Sequence, residues 1–480
     1  MSTFYGRKNE LKQLQYLISK KSASLVVITG RRRIGKSRLV EEFVRKNKKH
    51  NKVLISGLFP DKGIGSKSQK SEFASQMERE LKIPPVKTDD WSDLFIHLHN
   101  HTQKGKWIIL FDEITWMGYK DSGFLAKLKN AWDLYLKQNS QLILILCGSV
   151  SGWIEKNIVS STGFFGRISL KIHLDELPVE DCVQFWSEKA NMVSAYDKLK
   201  LLAVTGGVPK YLEEIIPHLS AEENIRKMCF QKEGILFNEF NRIFSDLFNR
   251  RSNIYQKIVY SLVQNKNNLQ SICDAIGIQK SGVISEYLND LITAGFLSKD
   301  YSWDLKTQKQ SRLCKYRIKD NYLRFYLRYI HPNKEKILKN RFTLKTLTSL
   351  PGWSAMMGFQ FENLVIQNCN HIIRMLGISF SDIVQDGFFF QNKTNRKQGC
   401  QIDYMIQTKH GPVYICEIKF QKNPVKSNVI EDVKRKTRQL SVPKYCSLIP
   451  VLIHVNGVSD SVEAAEYFAQ IIDFSDFILT

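Results

Sequence analysis

The chain has 480 residues, 43% of them hydrophobic, with 28 Phe, 18 Tyr and 8 Trp; that is too long for one ordinary core and too apolar for a disordered chain. Lys and Arg number 70 against 47 Asp and Glu, a formal net charge of +23, which favours polyanion partners, nucleic acid first. The nine cysteines are odd in number, include no CxxC pair and in part sit inside apolar runs, so they read as buried free thiols of a reducing compartment and not as a zinc site or disulfide framework, and the longest apolar runs (WIILF, LILILC, LIPVLI) fall far short of the roughly 20 residues that cross a bilayer.

The first ten residues, MSTFYGRKNE, are polar and charged and lack the apolar stretch of a signal peptide, so a soluble, cytoplasmic protein without a membrane partner is expected. Residues 1–175 then alternate short apolar runs with helical patterns. The runs are SLVVIT at 24–29, KVLISG at 52–57, WIILF at 107–111, LILILC at 142–147 and an alternating stretch at 168–174. Continuous apolar runs separated by helices predict a buried parallel sheet. Residues 176–250 read as helices, broken at Gly206, Gly207, Val208 and Pro209, where proline ends one helix and another begins.

Residues 251–330 carry three helical segments with short turns, the first presenting Ile254, Ile258, Val259 and Leu262 on one face. A strand follows, giving a helix-turn-helix pattern that enters a wing. The stretch 297–328 holds nine Lys or Arg against three Asp, so this wing is basic. Residues 331–352 connect. Residues 353–480 form a last α/β unit, with a helix containing Phe361 and Glu362, strands at GFFFQ, QIDYMI and PVYICEIK, a charged helix EDVKRKTRQL and a strand SLIPVLIHV.

Residues 30–37, GRRRIGKS, match GxxxxGK[ST] in full, after an apolar strand and at the start of a helix. Gly30 and Gly35 let backbone N–H groups converge on phosphates, Lys36 offers its ammonium to the β- and γ-phosphates, and Ser37 gives a hydroxyl to Mg²⁺. ATP and Mg²⁺ are therefore the expected cofactors. Asp112 and Glu113 close the run WIILF as a Walker B pattern; Asp112 would hold Mg²⁺ and Glu113 would polarise the attacking water. A solvated acidic turn is the plainer alternative. Ser149, after LILILCG, reads either as a γ-phosphate contact or as a turn serine. Arg167 reads as a phosphate-sensing arginine, in cis or in trans, or as a surface arginine.

Phe4, Tyr5, Gly6, Arg7, Glu10 and Leu11, the 30–37 loop, LFDEI, CGS, Gly166 with Arg167, and the turn Gly206, Gly207, Pro209 together resemble the archaeal-type ATPase family, a branch of the AAA+/STAND P-loop ATPases. The resemblance covers about residues 1–330. It implies that Arg7 lies near the nucleotide base and that Pro209, in a helical lid, approaches the nucleotide. It also implies a winged helix after the lid. The last segment is similar to the domain of unknown function that commonly ends these proteins, which looks like a restriction-endonuclease fold. The expected architecture is multidomain α/β: a P-loop parallel-sheet core at 1–175, a lid at 176–250, a winged helix at 251–330, a linker at 331–352 and a nuclease-like α/β domain at 353–480.

Asp403 sits in QIDYMI, and Glu417 and Lys419 sit two apart in YICEIK, on one face of the next strand. With Glu362 on the preceding helix they resemble the PD-(D/E)xK nuclease core. Glu362, Asp403 and Glu417 would hold one or two Mg²⁺ ions, and Lys419 would orient water or stabilise developing charge. Gln401 would share the face of Asp403. An ordinary ion pair is the alternative, although Glu and Lys inside VYICEIKF are costly unless paired or metal-bound. The expected function is ATP binding and hydrolysis coupled to nucleic-acid binding, DNA first, and to metal-dependent phosphodiester cleavage. The alternative is an ATPase switch or DNA-binding regulator whose last domain is a non-catalytic effector. A homo-oligomer is compatible with either reading. For DNA contact, the basic wing and residues Gln279, Lys280 and Ser281 are the candidates, the alternative being a module that only packs.

Overall fold

A computed structural model describes residues 3–61, 63–149, 152–248, 252–395 and 398–479. It divides into two units, one of Met1–Glu176 with Thr293–Gly295 and one of Leu177–Ile292 with Phe296–Thr480.

The first unit is built on five parallel strands in the order β2-β3-β4-β1-β5. They are β1 (Ser24–Gly30), β2 (Asn51–Ser56), β3 (Trp107–Asp112), β4 (Leu142–Ser149) and β5 (Ile168–Leu174). Each falls on an apolar run of the sequence. The runs of β1, β3 and β4 are continuous because both faces of the sheet are covered there, whereas β2 and β5 lie at the edges and expose part of their residues. Leu25, Val27, Ile109, Phe111, Leu144 and Leu146 pack on one side, against Phe73, Trp91, Phe95 and Phe124. These come from helices α3 (Ser66–Leu81), α4 (Trp91–Thr102) and α6 (Phe124–Leu134). The alternate residues Val26, Ile28, Ile108, Leu110, Ile143 and Ile145 face Leu14, Leu17, Leu39, Val40 and Phe43, from helices α1 (Lys8–Leu17) and α2 (Lys36–Lys46). A four-residue helix, α5 (Ile114–Met117), follows β3.

The second unit opens with helices, including Ala195–Thr205, Pro209–Leu212, Ala221–Cys229 and Ile235–Phe248. Three more follow, Ser252–Val263, Leu269–Ile276 and Gly282–Thr293, and then an antiparallel hairpin of β6 (Leu297–Trp303) and β7 (Gln310–Ile318). This hairpin packs against the sheet that follows. Ser302 Oγ donates to Phe390 O, Gln407 Nε2 donates to Leu305 O at 2.8 Å, and Tyr445 OH donates to Lys306 O at 2.9 Å. The basic stretch is partly consumed: within the hairpin Arg317 pairs with Asp300 at 2.8 Å, and the Lys315 ammonium lies 4.5 Å from the Phe390 ring centre on β8. Lys306, Lys309 and Arg312 stay exposed, as do Gln279, Lys280 and Ser281.

The last sheet is mixed, in the order β12-β11-β10-β9-β8. Its strands are β8 (Ile383–Gln391), β9 (Cys400–Thr408), β10 (Pro412–Ile418), β11 (Ser447–His454) and β12 (Gln470–Asp473). β8, β9 and β10 are antiparallel neighbours, whereas β10, β11 and β12 run parallel. The crossover from β10 to β11 is the helix Asn428–Gln439, which buries Val429, Ile430 and Val433. All nine cysteines are free thiols. Among the described residues no helix is long and apolar enough to cross a membrane.

Candidate nucleotide and carboxylate sites

In the first unit, β1 ends at Gly30 with φ 156°, and a Cβ there would lie 2.7 Å from Leu174 O on β5, so only glycine fits where the loop leaves the sheet. Gly35 has φ 91° and caps α2 without a side-chain bond, leaving the first amides of that helix open to an anion. Lys36 is buried. Its ammonium donates to Gly30 O at 3.2 Å, Arg31 O at 3.3 Å and Ser149 Oγ at 3.4 Å. Ser37 Oγ donates to Asp112 Oδ2 at 2.5 Å. β4 lies beside β1 and β3 beside β4, so the three strand ends bring Lys36, Ser37, Asp112, Glu113 and Ser149 together.

Glu113 sits at the left-handed φ of 48° as the cap of α5. It accepts from Ser149 N and Oγ, each at 3.4 Å. Burial raises its pKa, the Lys36 charge opposes this, and Asp112 adds to it. Arg7 also has a left-handed backbone, φ 58°, and its buried guanidinium donates to Ile34 O at 3.3 Å and Asp175 O at 2.5 Å. It braces the phosphate loop from behind. Arg31 pairs with Glu176 at 3.0 Å. Arg167 makes a forked contact to Asp133, Nε at 2.8 Å and Nη2 at 2.8 Å. Arg167 beside it holds the Asp133 carboxyl down to about pKa 2. Pro209 belongs to the second unit, where it opens the helix Pro209–Leu212; Leu177 N donates to Gly207 O there at 2.8 Å.

The second unit gathers the remaining predicted residues. β9 and β10 pair Tyr404 with Cys416, which sets Asp403 and Glu417 side by side one position on. Both carboxylates are buried, Glu417 to 2% exposure. Asp403 Oδ2 accepts from Ile418 N at 3.1 Å. Glu417 Oε1 accepts from Lys419 Nζ at 2.7 Å. Lys436, from the helix Asn428–Gln439, donates to Glu417 Oε2 at 2.5 Å and to Asp403 Oδ1 at 3.4 Å. Glu362, half-buried on the helix Trp353–Gln367, is pushed up to about pKa 8, by burial first and by the Asp403 charge second, with Arg324, Arg317 and Lys436 opposing. Burial also raises Asp403, and Glu417 adds to that. For Glu417 burial acts upward, but Lys436 and Lys419 outweigh it and the pKa falls. Gln401 lies exposed on β9, whereas Asp403 is covered.

Residues 4–215 match the family model described as an ATPase domain predominantly from Archaea. Residues 4–215 therefore carry an archaeal-type P-loop ATPase domain. The chain is 25% identical over 362 residues to an uncharacterized protein of Methanocaldococcus jannaschii, covering 75% of this chain and 76% of that one. Its fold is similar to that of a Walker-type ATPase of Pyrococcus abyssi, with a TM-score of 0.52 at 19% identity over 68% of this chain and 96% of that one.

The ATPase site has the groups that its chemistry uses. The glycine turn and the α2 amides suit the phosphates, Lys36 supplies a charge, and the touching pair Ser37 and Asp112 are oxygen donors suited to Mg²⁺. Glu113 stands next to them, half-buried. The carboxylate cluster offers a different donor set. Asp403 and Glu417 direct oxygens onto one shared ammonium, and two carboxylates with added water are an ordinary Mg²⁺ arrangement. Among the described residues no three of His, Cys, Asp or Glu converge as a ready-made cage. The sequence reading missed Lys436, which lies in the run KRK of a charged helix and carries no motif. It also missed the Arg7 brace and the Arg31–Glu176 pair; three successive arginines inside a phosphate loop were the available signal.

Proposed function

We propose that this ATPase uses its nucleotide state to control a second, metal-dependent site that cleaves nucleic acid. The observation that carries the reading is the buried pair Asp403 and Glu417, side by side on β9 and β10 with Lys419 against Glu417. Burying two carboxylates costs several kcal/mol unless cations compensate, so a chain keeps them where they hold a metal or form an ion cluster. Glu362 adds a third carboxylate, which feels the Asp403 charge. In this reading Asp403 and Glu417, completed by water and by Glu362 from the neighbouring helix, would hold Mg²⁺; the ion would supply an activated water and neutralise the scissile phosphate, and Lys419 would steady the developing charge.

The same reading assigns 176–250 as the lid with Pro209 toward the nucleotide, 251–330 as a winged helix, 331–352 as a linker and 353–480 as a nuclease-like domain. In the first unit Gly30, Gly35, Lys36 and Ser37 bind the nucleotide, Asp112 and Ser37 its Mg²⁺, and Glu113 activates water. Ser149 contacts the γ-phosphate and Glu113, while Arg7 supports the loop. DNA meets the exposed Lys306, Lys309 and Arg312 and the helix start at Gln279, Lys280 and Ser281. The test is Mg²⁺-dependent degradation of DNA or RNA by the purified full chain. Asp403→Ala is expected to abolish cleavage while ATP binding survives; undiminished cleavage by that variant sinks the assignment. One observation favours a second reading, a non-catalytic effector: Lys436 already satisfies both buried carboxylates. Absence of any cleavage by the wild type would select it.

A further inference from the structure

We propose that Lys436 is a built-in cation occupying the space between Asp403 and Glu417, and that a divalent metal enters this site only when its ammonium leaves. The inference rests on the nuclease reading and concerns how that site is kept idle.

Three observations carry it. First, the ammonium is shared: it lies 2.5 Å from Glu417 Oε2 and 3.4 Å from Asp403 Oδ1, the two oxygens that face each other across β9 and β10. A Mg²⁺ or Mn²⁺ ion needs those same lone pairs at about 2.1 Å, so the two cations exclude one another. Second, the placement is specific. In the run KRK, Lys434 pairs with Glu431 and Arg435 with Asp432 on their own helix, each within one turn. Lys436 instead turns to the strands, its side chain 20% exposed, on a helix anchored by Val429, Ile430 and Val433. Third, the stem allows movement. Lysine carries its charge on four flexible carbons, so the head can swing toward solvent without shifting the helix. Lys419 remains on the other Glu417 oxygen, at 2.7 Å, and is not displaced.

Two ligands competing for the same atoms weaken each other reciprocally. Mn²⁺ binding without nucleotide should therefore be measured on the full chain by calorimetry, with Asp403→Asn defining the contribution of this site. Lys436→Gln is expected to tighten that contribution by ~10-fold, a coupling typical of competing ligands. Lys436→Arg is expected to leave it as weak as in the wild type. Because removing a cation beside buried carboxylates can unfold a domain, a second measurement uses the wild type alone. Acetic anhydride labelling of Lys436, read by mass spectrometry against Lys434, is expected to rise when Mn²⁺ is added. Equal or weaker Mn²⁺ affinity in folded Lys436→Gln overturns the inference, as does unchanged labelling of Lys436. If no variant, wild type included, shows a site that Asp403→Asn removes, the nuclease reading falls with it.

Discussion

Lys36 is held by Gly30 O, Arg31 O and Ser149 Oγ, so its ammonium is already aimed across the mouth of the phosphate loop. Lys36→Ala should lower ATP hydrolysis by more than ~100-fold, measured as phosphate release, because a preorganised charge at a transferring phosphoryl group is worth several kcal/mol. Glu113 makes a sharper case. Burial raises its pKa above the ordinary 4.5, and a base works only when deprotonated. The acid limb of the hydrolysis rate should therefore lie above that value in the wild type, and Glu113→Gln should retain ATP binding while losing both the limb and most of the rate. Arg167 is expected to behave differently, since its guanidinium is spent on Asp133. Arg167→Ala should keep hydrolysis within a few-fold and lower stability slightly, as expected for a solvent-screened ion pair. The Asp133 carboxyl is depressed to about pKa 2 from an ordinary 3.8, so that contribution is present above pH 3.8 and fades as pH falls toward 2. Urea unfolding of Asp133→Asn and wild type across that range should show the two curves converging at low pH; a constant gap would refute the pairing.

The elements divide by how well the sequence displays them. The inner strands β1, β3 and β4 were legible because burial on both faces leaves an uninterrupted apolar run, as in β4, whose alternate residues serve opposite cores, whereas the edge strand β5 was legible from its alternation. The strand β10 was legible for the opposite reason: Glu417 and Lys419 are conspicuous among apolar neighbours. The sequence could not show that the β6–β7 hairpin lies on β8, since a docked strand and a free wing share one alternation. Nor could it place Lys436, because a charged helix reads as solvated until its crossover position is known. The turn after the helix Ala195–Thr205 is the element most sensitive to a single atom. A Cβ on Gly207 would lie 2.2 Å from Leu177 O, against backbone that cannot yield cheaply. Gly207→Ala should destabilise the second unit by about 2 kcal/mol or more, seen as a lower thermal midpoint.

At the scale of the whole molecule, a chain with net charge +23 carries two clusters of chemically matched residues, one in each unit. The first has a glycine turn, a lysine, the Ser37–Asp112 contact and a half-buried glutamate, groups that suit phosphoryl transfer. The second has paired carboxylates balanced by lysines, a composition suited to a metal and a polyanion. The proposed link between them is that ATP binding alters the activity of the carboxylate site. The most direct measurement is the rate of labelled DNA cleavage in Mg²⁺, with and without ATP, by wild type, Lys36→Ala and Asp403→Ala side by side. The expected result is an ATP-dependent rate in the wild type, an ATP-insensitive rate in Lys36→Ala and no cleavage by Asp403→Ala. A wild-type rate that ATP leaves unchanged, or cleavage that survives Asp403→Ala, would contradict it.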